Sequence, residues 1–154
     1  MPTHVIAGHV AAVLAPLAAV MALVYALVPT SRRGMRLPTL VAALGSAAVC
    51  LWAAMAGSSL YTQLTATVGQ AAARAAAHGH AEDGDSLTIV AIALALSLGV
   101  GCWTWLAPDR RSGVLHWIAV GVVAACAAAT LWLTVSAVAG GIASVWTHHL
   151  PLKG

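Results

Sequence analysis

Histidine is the residue of this chain best equipped for chemistry. Six of its seven histidines gather where one side of a membrane is expected: His4, His9, His78, His80, His148 and His149. Imidazole is a common ligand of transition metals and of haem iron. His9 is the most informative of the six. On a helix it lies about 7.5 Å further along the axis than His4 and about 140° round from it. That sets His9 inside an apolar stretch, leaves His4 at the boundary, and keeps the pair from sharing one small metal ion. An ionisable side chain within a membrane span usually faces a bundle or a cavity and marks a site. The plainer alternative is a neutral ring bonded to a neighbouring helix.

Two kinds of site follow. Haem b needs one or two axial ligands on facing elements and an apolar slot for its ring, and helix bundles supply such slots. His9 with a second histidine from the third or fourth apolar stretch would meet that need. The other kind is an outer-face metal site. The segment Ala77-His78-Gly79-His80-Ala81-Glu82-Asp83 offers imidazoles and carboxylates that suit zinc or copper, with His78, His80, Glu82 and Asp83 as its ligands and His148 nearby. So short a segment reads more plainly as a solvated polar loop. His148 and His149 follow the fourth stretch and read by default as surface residues, while His116 stands alone beside Arg110 and Arg111 and reads as an interface residue. Catalysis has little to build on. There is no GxSxG and no Gly-rich phosphate loop, Ser58-Ser59 has no evident base, and no acidic residue lies inside an expected span.

The elements that must position these residues are set by composition. Hydrophobic residues make up 61% of the 154 and charged residues 7%, against about 25% charged in a soluble domain. Most of the surface must therefore meet lipid. One transmembrane domain, residues 1–154, accounts for the length. Four apolar stretches are each long enough, at about 20 residues or more, to cross a hydrocarbon core of about 30 Å. They cover about 4–28, 39–60, 87–106 and 114–138. Helices are expected because lipid offers the backbone no hydrogen-bond partner. The fold class is thus all-α, an integral membrane four-helix bundle.

Pro38 suits the first turn of the second span. Residues 58–77 contain no proline and read as an outer helical extension, its Thr62, Gln63, Thr65, Thr67 and Gln70 suited to water or a partner protein. Gly140-Gly141 points to a bend or a close helix contact. Gly45, Gly99, Gly101 and Gly121 read as close-packing positions. Cys50, Cys102 and Cys126 lie within apolar stretches without a CxxC and read as structural.

Charge sets the orientation. Arg32, Arg33 and Arg36 lie between the first two spans, and Arg110 and Arg111 between the last two. Both short loops are expected to be cytoplasmic and both termini outside. Trp103, Trp105 and Trp117 sit at the expected inner interface and Trp146 near the outer one, as aromatic belts do; Trp52 and Trp132 read as packing residues. The first stretch lacks a basic start and reads as a retained helix rather than a cleaved signal. Seven basic residues against four acidic ones are too sparse for nucleic-acid binding.

The opening Thr3-His4-Val5-Ile6-Ala7-Gly8-His9-Val10-Ala11-Ala12-Val13-Leu14 resembles the start of a bacterial membrane family, domain of unknown function 2231. Its members open with two histidines five residues apart. Val5 and Val10-Ala11 stand where that family carries Pro and Phe-Pro. His80-Ala81 is similar to its histidine-alanine pair entering the third helix, and Gly140-Gly141 with His148 to its closing motif. The resemblance spans nearly the whole chain. It implies four helices with short inner loops, a bacterial inner (cytoplasmic) membrane location, and His9, His80 and His148 as the positions of interest. His9 would then be one axial ligand of a haem b and His80 or His148 the other. The function expected is a small, non-catalytic membrane subunit of a larger complex, such as a redox assembly, that transfers electrons through haem b and packs against other membrane subunits. The alternatives are a cofactor-free structural subunit and an outer-face metal-binding protein.

Overall fold

The computed structural model describes residues 3–71, 80–110 and 113–149. It contains four long helices: α1 (Thr3–Leu27), α2 (Arg32–Val68), α3 (His80–Gly101) and α4 (Val114–His149), with a single 3-10 turn, Pro29–Ser31, between the first two. All four are long and apolar enough to cross a membrane, with mean hydropathies of 2.4, 1.9, 1.7 and 2.2 over Val5–Leu27, Pro29–Thr67, Gly84–Gly101 and Val114–Gly141. Each helix packs against its neighbours in a ring: α1 touches α2 and α4, and α3 touches the same two, while α1 and α3 barely meet across the diagonal.

Small side chains make this packing possible. In α1 the buried face is an alanine stripe, Ala7, Ala11, Ala15, Ala18, Ala22 and Ala26, each 5% exposed or less. Recurrence every three or four residues keeps one side of a helix facing its neighbours. Between apolar helices in lipid, close van der Waals contact replaces the hydrophobic effect as the attractive force. Larger residues fill the remaining space, with Leu94, Leu98 and Cys102 of the α3 side meeting Val123 and Ala127 of α4. The Thr88 hydroxyl adds a polar tie, lying 3.2 Å from the Cys50 carbonyl of α2 and 2.9 Å from Gly84 on its own helix.

The glycines contribute less than the sequence suggests. A methyl group at Gly99, Gly121 or Gly140 would meet nothing within 4 Å, and one at Gly45 would make ordinary contact, 3.5 Å from Leu14. Only Gly101 is tight, with Leu106 at 3.2 Å, where the chain turns back on the end of α3. Helix α4 runs unbroken through Gly140-Gly141.

The helices also overrun the apolar spans. Helix α2 begins at Arg32, so Pro38 sits inside it rather than in its first turn. Helix α3 begins at His80 rather than near Leu87, which turns the expected acidic loop into helical backbone and puts Glu82, Asp83 and Asp85 in its opening turns. Helix α4 continues to His149. The expected extension of the second span is continuous with α2 as far as Val68, where Gly69 ends the helix at φ +86°, a conformation that glycine adopts without penalty.

Candidate functional site

The two ends of the bundle differ in character. The N-terminus of α1, the far end of α2, the start of α3 and the end of α4 lie together at one end, as four consecutively antiparallel helices require. This is the histidine end. On α1 the buried stripe passes through Ala7 and Ala11. His9, midway between them and about 200° round from each, is therefore on the outward face and exposed. The bundle-facing position expected of an intramembrane histidine is taken by alanine instead. The His9 Nδ1 lies 2.7 Å from the Val5 carbonyl one turn back. A carbonyl only accepts, so Nδ1 carries the proton and Nε2 is left without a partner among the described residues. The other residues of interest are less fully placed. His4, His80, Glu82, Asp83, His148 and His149 lie on helical backbone but their side chains are outside the described residues, as is all of His78. Among the described residues no three His, Cys, Asp or Glu side chains come together as a metal site.

The opposite end holds the loops, and it is tightly knit. The Arg32 side chain, 4% exposed, folds back on α1. Its Nε donates to the Tyr25 carbonyl at 3.1 Å and an Nη to Ala26 at 2.7 Å. Both acceptors belong to the last turn of α1, whose carbonyls have no partner within the helix. The cation also sits at the negative end of the helix dipole. Ser31 donates to Val28 at 2.8 Å and reaches Val24 at 3.2 Å in the same turn. Tyr25, fully buried, donates its hydroxyl to the Leu106 carbonyl at 3.0 Å and so ties α1 to the turn after α3. Arg36 stacks its guanidinium 3.3 Å from the centre of the Trp103 ring, a cation–π contact. Arg33 pairs with Asp109 at 2.6 Å across the two loops, both side chains well exposed. Cys102 is fully buried beneath this cluster, where it packs as a small hydrophobe.

His116 lies in the first turn of α4, beside the loop. It is 8% exposed, and its Nδ1 lies 2.9 Å from the Trp105 carbonyl. With Arg110, Gly113, Val114, Leu115 and Trp105 it lines an open cleft of about 250 Å³ at the start of α4. A second, almost wholly apolar cleft of about 380 Å³ lies between α3 and α4, walled by Leu96, Val100, Ile118 and Val122, and it shares Trp105 and Leu115 with the first.

Sequence reasoning passed over Tyr25 and over the contact that His116 makes. A tyrosine near the end of an apolar span and a histidine near the start of another were the available signals, since a ring with a polar tip usually finds a partner when buried. No family model, curated protein or solved structure matches the chain.

Proposed function

We propose that the chain is a multi-pass membrane subunit without catalytic activity of its own, held in a larger assembly through the far half of α2. The observation that carries this reading is the burial along that helix. Beyond Cys50, no described side chain of α2 from Leu51 to Thr67 is buried, and Leu51, Trp52 and Met55 stand 47%, 46% and 64% exposed. The α2 span is also the least covered of the four, 17% buried against 33–39% for the others. At about 1.5 Å per residue its 37 residues reach roughly 55 Å, well past a core of about 30 Å. In its far half the Ser58, Ser59, Thr62, Thr65 and Thr67 hydroxyls all bond to carbonyls of the preceding turn. What is left open is packing surface. A photoreactive amino acid at Met55 tests this in native membranes. A discrete adduct with a second polypeptide is expected, and adducts with lipid alone would remove the subunit reading.

A second reading has its own observation. The His9 Nδ1 is fixed by Val5 and Nε2 has no partner among the described residues, which is how a ligating imidazole is oriented by its surroundings. Haem b held there would supply one-electron transfer, with His9 as one ligand and His80 or His148 as the candidates for the other. The His4–His9 spacing supports membership of the domain of unknown function 2231 family. The basic loops support placing both termini outside a bacterial inner membrane. Oxidised and dithionite-reduced spectra of purified protein decide the haem: a Soret band lost on His9→Ala is expected, and a featureless spectrum from haem-replete cells leaves the cofactor-free subunit. An outer-face metal site through His78, His80, Glu82 and Asp83 predicts zinc or copper binding by titration calorimetry, and affinity no better than millimolar would end it.

A further inference from the structure

We propose that the groove between α3 and α4 at the loop end is a binding site for one anionic phospholipid whose headgroup carries a hydroxyl, as phosphatidylglycerol does. The inference rests on the chain being a membrane protein and is independent of any haem. Its basis is the junction of two clefts, one part polar and the other almost wholly apolar, which share Trp105 and Leu115.

The polar cleft can hold a phosphodiester. It opens on the first turn of α4, where Gly113, Val114, Leu115 and His116 form the wall. N–H groups of a first helical turn have no carbonyl acceptor within their own helix, and the dipole there favours an anion. Arg110 lines the same cleft. Asp109, its neighbour in sequence, gives its carboxylate to Arg33, so Arg110 keeps its charge for a ligand. A planar guanidinium suits phosphate oxygens.

His116 supplies the second, independent feature. It is more than nine-tenths buried and lines the cleft. Its Nδ1 proton is committed to the Trp105 carbonyl, so in the neutral ring Nε2 is an acceptor with no donor among the described residues. A phosphodiester has no proton to give it. A headgroup hydroxyl does, which is why a glycerol headgroup fits better than choline. The apolar cleft then takes the acyl chain. Ile118 and Val122 lie one and two turns deeper along α4 than Val114, and the groove they form with Leu96 and Val100 is open to the side. Headgroup and chain are thus ordered as in a membrane leaflet, with an aromatic ring at the boundary. Basic pockets between membrane helices recognise anionic headgroups by this combination.

The test is native mass spectrometry of the intact protein in mild detergent with added phosphatidylglycerol or phosphatidylcholine of the same chains. One phosphatidylglycerol is expected to be retained per chain in preference to phosphatidylcholine. Arg110→Gln should lower its affinity about tenfold, the worth of one charge-assisted contact, while Arg33→Gln, the same charge change outside the cleft, should leave it unchanged. Equal retention of the two lipids, or an equal loss on Arg33→Gln, would overturn the proposal, because either would mean a greasy groove or a diffuse positive surface. Displacement by glycerol 3-phosphate at the same concentration would also overturn it in favour of a soluble phosphate. Resistance to alkaline carbonate extraction checks the membrane reading separately.

Discussion

At the scale of single residues, the arginines of the loop end divide by burial rather than by charge. Arg32 and Arg33 are adjacent and both count as inner-loop positive charges, yet one is 4% exposed and the other's side chain 79%. Arg32→Met removes two charge-assisted bonds to the end of α1, and a loss of roughly 2–4 kcal/mol is expected, read as a lower melting temperature in detergent. Arg33→Met breaks an exposed ion pair that water and salt already weaken, and no change in melting temperature is expected. Tyr25→Phe keeps the ring and deletes the bond to Leu106, leaving a buried carbonyl short of its donor. About 1–2 kcal/mol should be lost in the same measurement. Equal effects of the two arginine substitutions would refute this division.

At the scale of elements, alanine rather than glycine sets how closely the helices approach. Ala15 and Ala22 are completely buried on the inner stripe of α1. Ala22→Leu forces a larger side chain into a filled space, and about 1–3 kcal/mol of destabilisation is expected. Gly121→Ala goes the other way. Its added methyl meets nothing within 4 Å, and helix propensity favours alanine by up to about 1 kcal/mol, so unfolding should be unchanged or slightly harder. A marked loss of stability at Gly121 in detergent, where the chain is free of partners, would show that this helix face is packed after all. The ends of the helices follow a different rule from their middles. Hydropathy marks where a chain crosses lipid, but a helix satisfies its own backbone and has no reason to stop at the membrane boundary. That is why α2 starts six residues before Pro38, at Arg32, and α3 takes in Glu82 and Asp83.

At the scale of the whole molecule, the loop end of the bundle is tightly bonded. The Arg33–Asp109 pair and the Tyr25–Leu106 bond tie α2 and α1 to the turn after α3 there. At the other, α2 and α4, of 37 and 36 residues, outrun α1 and α3, of 25 and 22. If the basic loops face the cytoplasm, single cysteines at Arg110 and at Gln63 in a background lacking the three native thiols should label differently in intact cells. A membrane-impermeant maleimide is expected to reach position 63 and to reach position 110 only after the membrane is opened. The reverse pattern would invert the orientation and put the proposed lipid site in the outer leaflet.

The sequence alone determined the class of solvent, the number of helices and the pairing of ends, because a run of about 20 apolar residues has few alternatives in lipid. It also singled out the loop arginines, though for topology and not for the helix cap that Arg32 makes. Only the tertiary structure decided which way each side chain faces. In a helix that is apolar all round, no periodic contrast distinguishes the lipid side from the packed side. His9 therefore reads as facing the bundle, and the alanine stripe of Ala7, Ala11 and Ala15 turns it outward; His116 reads as an interface residue, and its contact with the Trp105 carbonyl fixes which way it faces. Facing is set by which neighbours can approach, and that depends on side chains from other helices far away in the chain.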